Sequence, residues 1–128
     1  LAVVVVGDKQ GYIDPEGNLV IEAQFDYAGP FSEGFAVVSS GEKFGDIDTA
    51  GQVVIEPKYD LAGDFSVGLA VVEVNGSAGL IDQAGNVVVE PQYVYIIPLD
   101  NGIALAHSGS DLVVLDAAGQ VLVQLPSP

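Results

Sequence analysis

The chain contains no cysteine, no methionine, no tryptophan and no arginine, and only one histidine. Without cysteine there is neither a disulfide framework nor a thiolate metal site, and the redox compartment leaves no trace in the sequence. Without methionine the chain does not start at an initiator, so we expect it to be processed or to be a piece of something longer; no signal peptide is visible. Long apolar runs are missing too. The longest is Leu1–Val6, far short of the roughly 20 residues that a spanning helix needs. Basic residues are the scarcest class of all. Lys9, Lys43 and Lys58 stand against 18 acidic residues, a net charge of −15. Phosphate backbones and anionic lipid surfaces are held by Lys and Arg, so nucleic acid and membranes are excluded as expected partners. Cations, basic proteins and neutral ligands remain.

What is present is an apolar, folded chain. Hydrophobic residues make up 49% of 128 positions, and a chain of this length buries roughly two-thirds of its unfolded surface. Sliding the sequence against itself by 34 residues aligns it without a gap. Leu1 falls on Phe35, Leu69 and Ile103; Asp14 meets Asp48, Asp82 and Asp116; Gly17 meets Gly51, Gly85 and Gly119. We therefore expect one repeat domain over 1–128, with units 1–34, 35–68 and 69–102 and a truncated capping unit 103–128.

Each unit reads as three short strands rich in β-branched residues and bounded by Gly, Asp, Asn or Pro. In the first unit these are Leu1–Val6, a strand running to Ile13, and Leu19–Ile21. No window keeps a helical period. Between the second and third strands, Asp14-Pro15-Glu16-Gly17 and its three copies predict a type I turn with a G1 bulge. The Asp would accept from the N–H groups two and three residues on. Glu56-Pro57 and Glu90-Pro91 are expected to end the preceding strand. The rest of each unit reads as a connector, in which Phe25, Tyr59 and Tyr93, and likewise Phe31, Phe65 and Leu99, plug gaps between neighbours. Pro126 and Pro128 are expected to blunt the C-terminal edge. The predicted fold class is all-β: 34-residue, three-stranded antiparallel units in an open, β-solenoid-like stack, with a closed propeller or trefoil-like arrangement as the alternative.

The pattern resembles the WG-repeat (KWG-repeat) family, whose unit looks like K-W-G-x-I-D-x-x-G-x-x-V-I-x-P-x-Y/F-D-x-A-x-x-F-S-E-G-L-A-x-V. The first unit matches through Lys9-Gln10-Gly11, Ile13-Asp14, Gly17, Val20-Ile21, Phe25-Asp26, Ala28 and Phe31-Ser32-Glu33-Gly34. The second matches through Lys43-Phe44-Gly45, Ile47-Asp48, Gly51, Val54-Ile55, Pro57, Tyr59-Asp60, Ala62 and Phe65-Ser66. The third keeps Gly79, Ile81-Asp82, Gly85, Val88-Val89, Pro91 and Tyr93. The Trp that names the family is replaced by Gln10, Phe44, Ala78 and Leu112. The resemblance implies a β-repeat scaffold, often in large or surface-associated proteins, with no uniform activity attached.

Functional candidates follow from the residues. His107, beside Ser108, Ser110 and Asp111, offers the only Ser–His–Asp combination, and residues so close in one loop rarely form a triad. We expect no enzymatic activity and no resident cofactor. Asp14, Asp48, Asp82 and Asp116 recur in register and are the candidates for calcium. Local clusters of Asp8, Asp14 and Glu16, and of Asp46, Asp48, Asp60 and Asp64, are further acidic groups, but their spacing is that of turn caps rather than of a dedicated loop. Tyr12, Tyr27, Tyr59, Tyr93 and Tyr95 are candidate sugar platforms, or else core plugs. Val3, Val4, Val5 and Val6 form an N-terminal edge suited to β-augmentation by a protein, including a second copy stacked head to tail. The expected function is a structural or protein-interaction module of an extracellular or cell-surface filament, adhesion or display system. An intracellular (cytoplasmic) scaffold and a lectin-like module are the alternatives.

Overall fold

The computed structural model describes residues 1–99 and 102–126. Among them are fifteen strands and no helix, divided between two compact units, Leu1–Asp64 and Phe65–Pro128. In the first unit β1 (Ala2–Val6), β2 (Lys9–Ile13) and β3 (Leu19–Phe25) pair in that order. A second sheet runs β4 (Tyr27–Ser32), β5 (Phe35–Ser40), β6 (Lys43–Asp48), β7 (Val53–Tyr59); the short β8 (Leu61–Ala62) comes next in the chain and is not a strand of this sheet. In the second unit β9 (Leu69–Val74), β10 (Ser77–Asp82) and β11 (Val87–Tyr93) are neighbours. There β12 (Tyr95–Pro98), β13 (Ala104–His107), β14 (Asp111–Leu115) and β15 (Val121–Pro126) form a sheet in chain order. Pairing is antiparallel and no sheet closes into a barrel. The all-β repeat architecture expected from the sequence is present.

The turns follow their chemistry. The β2–β3 turn closes with the Gly17 amide donating to the Asp14 carbonyl at 3.0 Å and the Asp14 amide donating to Asn18 O at 2.9 Å. Gly17, at φ +86°, occupies the left-handed position that the bulge requires. The Asp side chain departs from expectation in one detail. Asp14 Oδ1 accepts from the amides of Glu16 (3.0 Å) and Asn18 (2.8 Å), two and four residues on. The amide between them is already spent on the Asp14 carbonyl.

Two larger corrections concern the connectors and the prolines. The connector is not a loop. Residues 27–32 are β4, paired with β5 from Tyr27↔Ser39 to Ser32↔Phe35, and 95–98 are β12, paired with β13. Each of these sheets thus gains a fourth strand beyond the three expected. The prolines do not end strands either: β7 runs through Pro57 and β11 through Pro91. The register explains why. Phe44 pairs with Tyr59 and Asp46 with Ile55, so Gly45 alone faces Glu56, Pro57 and Lys58. In this bulge no ladder bond is asked of the proline nitrogen. A Cβ on Gly45 would lie 2.2 Å from the Ile55 carbonyl oxygen, so only glycine fits. Gly11 and Gly79 sit in the same bulge. In the fourth repeat the position is Val113, and there β14 and β15 pair straight past it.

Alternating apolar side chains then build one core per unit. In the first, Tyr12, Ile21, Phe25, Ala28, Ala36, Val38 and Ile47 cluster, with Phe31 packed against them. In the second, Leu80, Val89, Tyr93, Ile96, Ala104, Ala106, Val113 and Leu115 do the same. Phe25, Tyr59 and Tyr93 are all buried, each contributing about 2–3 kcal/mol of apolar burial. Phe65 is buried and Phe31 partly so, whereas Leu99 is exposed. Pro126 ends β15; the rest of the expected C-terminal cap, Ser127 and Pro128, lies outside the described residues.

Candidate functional site

The most unusual residue in the core is an acid. Position 46 belongs to a repeat column whose other members are Tyr12, Leu80 and Val114. Tyr12 shows what the column does: it is fully buried, its hydroxyl donates to the Gly29 carbonyl at 2.5 Å, and its ring meets Phe31 at 4.9 Å. Burial, with the charges of Tyr27, Asp46 and Asp64 nearby, pushes its phenol up to about 12. Asp46 is too short to make such contacts. It is 1% exposed, and neither carboxylate oxygen has a hydrogen-bond partner. Burial and then the charge of Asp64 push its carboxyl up to about 7.

A pocket of about 340 Å³ lies on the same face, lined by Tyr27, Val37, Phe44, Leu61, Ala62 and Asp64. Strand alternation puts Phe44 and Asp46 on one side of β6, and Val37 of β5 is the cross-strand partner of Asp46. Asp46 therefore lies beneath this pocket. The rings of Tyr27 and Phe44 meet edge to face at 6.2 Å. At the position equivalent to Phe44, Gln10 accepts from the Ala28 amide at 2.8 Å instead, so the aromatic wall belongs to the second repeat.

The lysines are engaged elsewhere. Lys9 reaches Asp26 at 2.5 Å and Lys43 pairs with Asp60, while Lys58 sits 5.6 Å from the centre of the Tyr59 ring. The Lys9 contact, through its hydrogen bond first, raises the lysine's pKa and lowers that of Asp26. In the third repeat both members of this pair are replaced, by Ser77 and Val94. The acidic cluster read from sequence is thus divided among jobs: Asp48 caps a turn, Asp60 holds a lysine, and Asp46 and Asp64 meet at the pocket.

Asp14, Asp48, Asp82 and Asp116 each accept two backbone amides through Oδ1, at 2.8 to 3.0 Å. The amide bond from Asn18 is the main cause that lowers the pKa of Asp14. Among the described residues no three Asp, Glu or His side chains converge as a metal-binding group. His107 stacks on Tyr95 at 5.5 Å, and its Nδ1 accepts from the Gly109 amide at 3.0 Å. Asp111 Oδ2 accepts from Gln124 Nε2 at 2.6 Å. Tyr12, Tyr59 and Tyr93 are buried; Tyr27 and Tyr95 are exposed.

The second candidate is an edge. In the β4–β7 and β12–β15 sheets the repeat's first strand is flanked on its outer side by a connector strand: β5 by β4 and β13 by β12. Among the described residues β1 has β2 on one side and no hydrogen-bonded strand on the other. Val3, Val5 and Val6 are 39%, 62% and 55% exposed and Val4 is half-buried.

Sequence reading named Asp46 only as one of four nearby acids. The available signal was its column, where an acid stands among Tyr, Leu and Val. No curated protein and no solved structure matches the chain. The family model described as WG containing repeat does match, three times in succession, over residues 11–44, 44–77 and 79–106. These matches carry the 34-residue frame and the bulge glycines across most of the sequence, and the chain belongs to the WG-repeat family.

Proposed function

We propose that the chain is a non-enzymatic structural and protein-binding module that takes up a β-strand along β1, in an extracellular or cell-surface assembly. The unflanked outer edge of β1 carries this reading. The strand that fits has the repeat's own connector pattern, because β4 and β12 fill the same place beside β5 and β13. Main-chain bonds along Ala2–Val6 would supply affinity, and the alternating valines selectivity. In this register a Phe at the Phe31 position lies opposite Ala2, as Phe31 lies opposite Ala36. Such a strand can come from another chain carrying these repeats. The acidic composition, without cysteine or arginine, supports the placement outside the cell.

The test is hydrogen exchange on the whole chain with a synthetic peptide of residues 24–34 added in trans. We expect slowed exchange at the β1 amides, and loss of that slowing in Val5→Pro, which removes an outward donor at the position where Ser39 and His107 meet their connectors. Unchanged exchange at millimolar peptide overturns the proposal.

A further inference from the structure

We propose that the pocket over Asp46 is a binding site for a small organic ammonium, a primary amine on an alkyl body or the side chain of a lysine. The apolar body would rest on Tyr27, Val37, Phe44 and Leu61, with the charged head at Asp64 and Asp46 beneath. This site is independent of the β1 edge.

Three observations converge on it. The pocket has the size and the apolar walls of a small-ligand site, with an aromatic corner formed by Tyr27 and Phe44; such a corner favours a cation over a neutral group. Beneath it a carboxylate is buried without a single hydrogen bond, an arrangement that costs folding free energy and calls for a donor. The chain itself provides none, since its three lysines are engaged at Asp26, Asp60 and the Tyr59 ring and it has no arginine. A net charge of −15 raises the local concentration of cations around any such site.

An ammonium is preferred to a metal ion. The donors are two carboxylates among apolar and aromatic walls, too few oxygens for calcium's six to eight ligands. A hydrated ion would also leave the ring faces unused.

Binding also has a proton signature. A cation at Asp64 favours the ionised form of Asp46, so complex formation releases protons near neutral pH. Affinity then rises between pH 6 and pH 8, where an alkylammonium remains charged. The charged group acting on Asp46 is Asp64, and the Tyr12 phenol from β2 lies near both acids and near the Tyr27 phenol of β4; β5 and β7 present only Val37 and Ile55 opposite it.

The experiment is an amide-shift NMR titration of the full chain with n-butylammonium chloride, n-butanol as the neutral match, calcium chloride, and the blocked peptide acetyl-Gly-Lys-Gly-amide. We expect n-butylammonium to shift Tyr27, Phe44 and Leu61–Asp64, and n-butanol to bind about tenfold more weakly. Asp64→Asn should weaken the amine by about tenfold. Asp46→Leu, which copies Leu80 of the next repeat and keeps the fold, should abolish the pH dependence. Tighter binding of the lysine peptide identifies a partner's lysine as the ligand, and tighter binding of n-butylammonium a free amine; either supports the site. Equal binding of n-butanol, the same shifts from calcium, no shifts, or unaltered binding in both variants overturns it.

Discussion

At the scale of single residues, Asp46 is the position where this chain gives up stability. The unfolded chain releases this proton near 3.8 and the folded chain near 7. Between those values the folded state holds the extra proton, so stability falls as pH rises. Above pH 7 the penalty is on the order of 4 kcal/mol. We expect urea denaturation of Asp46→Leu to show a gain of that order at pH 8 and a much smaller one at pH 4, where wild-type Asp46 is largely neutral. A wild type equally stable relative to the variant at both pH values would contradict this account. The residue was visible in the sequence as an acid in an apolar column, but its depth was not. Depth depends on what the connector strand and β5 place above it, and neither neighbour is local in sequence.

At the scale of elements, one glycine controls the shape of the β2–β3, β6–β7 and β10–β11 pairs. Gly45 lets β6 approach β7 where Glu56, Pro57 and Lys58 bow out, and the built Cβ contact of 2.2 Å leaves no room for alanine. Gly45→Ala is expected to cost about 3 kcal/mol, seen as a lower urea midpoint with an unchanged slope. An alanine variant as stable as wild type would mean that the bulge can relax, against the backbone packing described. The strands, their order and the Asp–Gly turns were legible because they rest on local propensity and a fixed spacing. The connector strand and the uninterrupted β7 and β11 were not. Proline and glycine are breakers by local rules, and only the register across to β6 and β10 turns the same residues into a bulge within a strand. The identity of Val113 was the available hint: without the glycine, β14 and β15 pair without that bulge.

At the scale of the whole molecule the dominant fact is charge. With −15 spread over 128 residues, like charges oppose compaction, and the exposed Lys–Asp pairs offset little of it. Raising NaCl from 20 mM to 0.5 M should therefore increase the thermal midpoint by roughly 5 °C, because the screening length shrinks below the spacing of surface carboxylates. A midpoint that falls with salt would show that the ion pairs outweigh the repulsion. The repeat and the family were readable from 34-residue self-similarity alone, since every unit meets the same packing demand with the same residues. The pocket was not, because it arises where one repeat departs from the others, through Phe44 and Asp46.

The strand that β4 lends to β5, and β12 to β13, comes from the repeat before. The segment that recurs in the sequence is therefore out of phase with the sheet that folds. A gene can gain or lose 34 codons in any frame and still leave interior sheets whole, since each duplicated first strand arrives with a predecessor to flank it. Expansion and contraction of such an array thus change the number of sheets without changing how each is built, so that repeat number and sheet architecture can evolve separately.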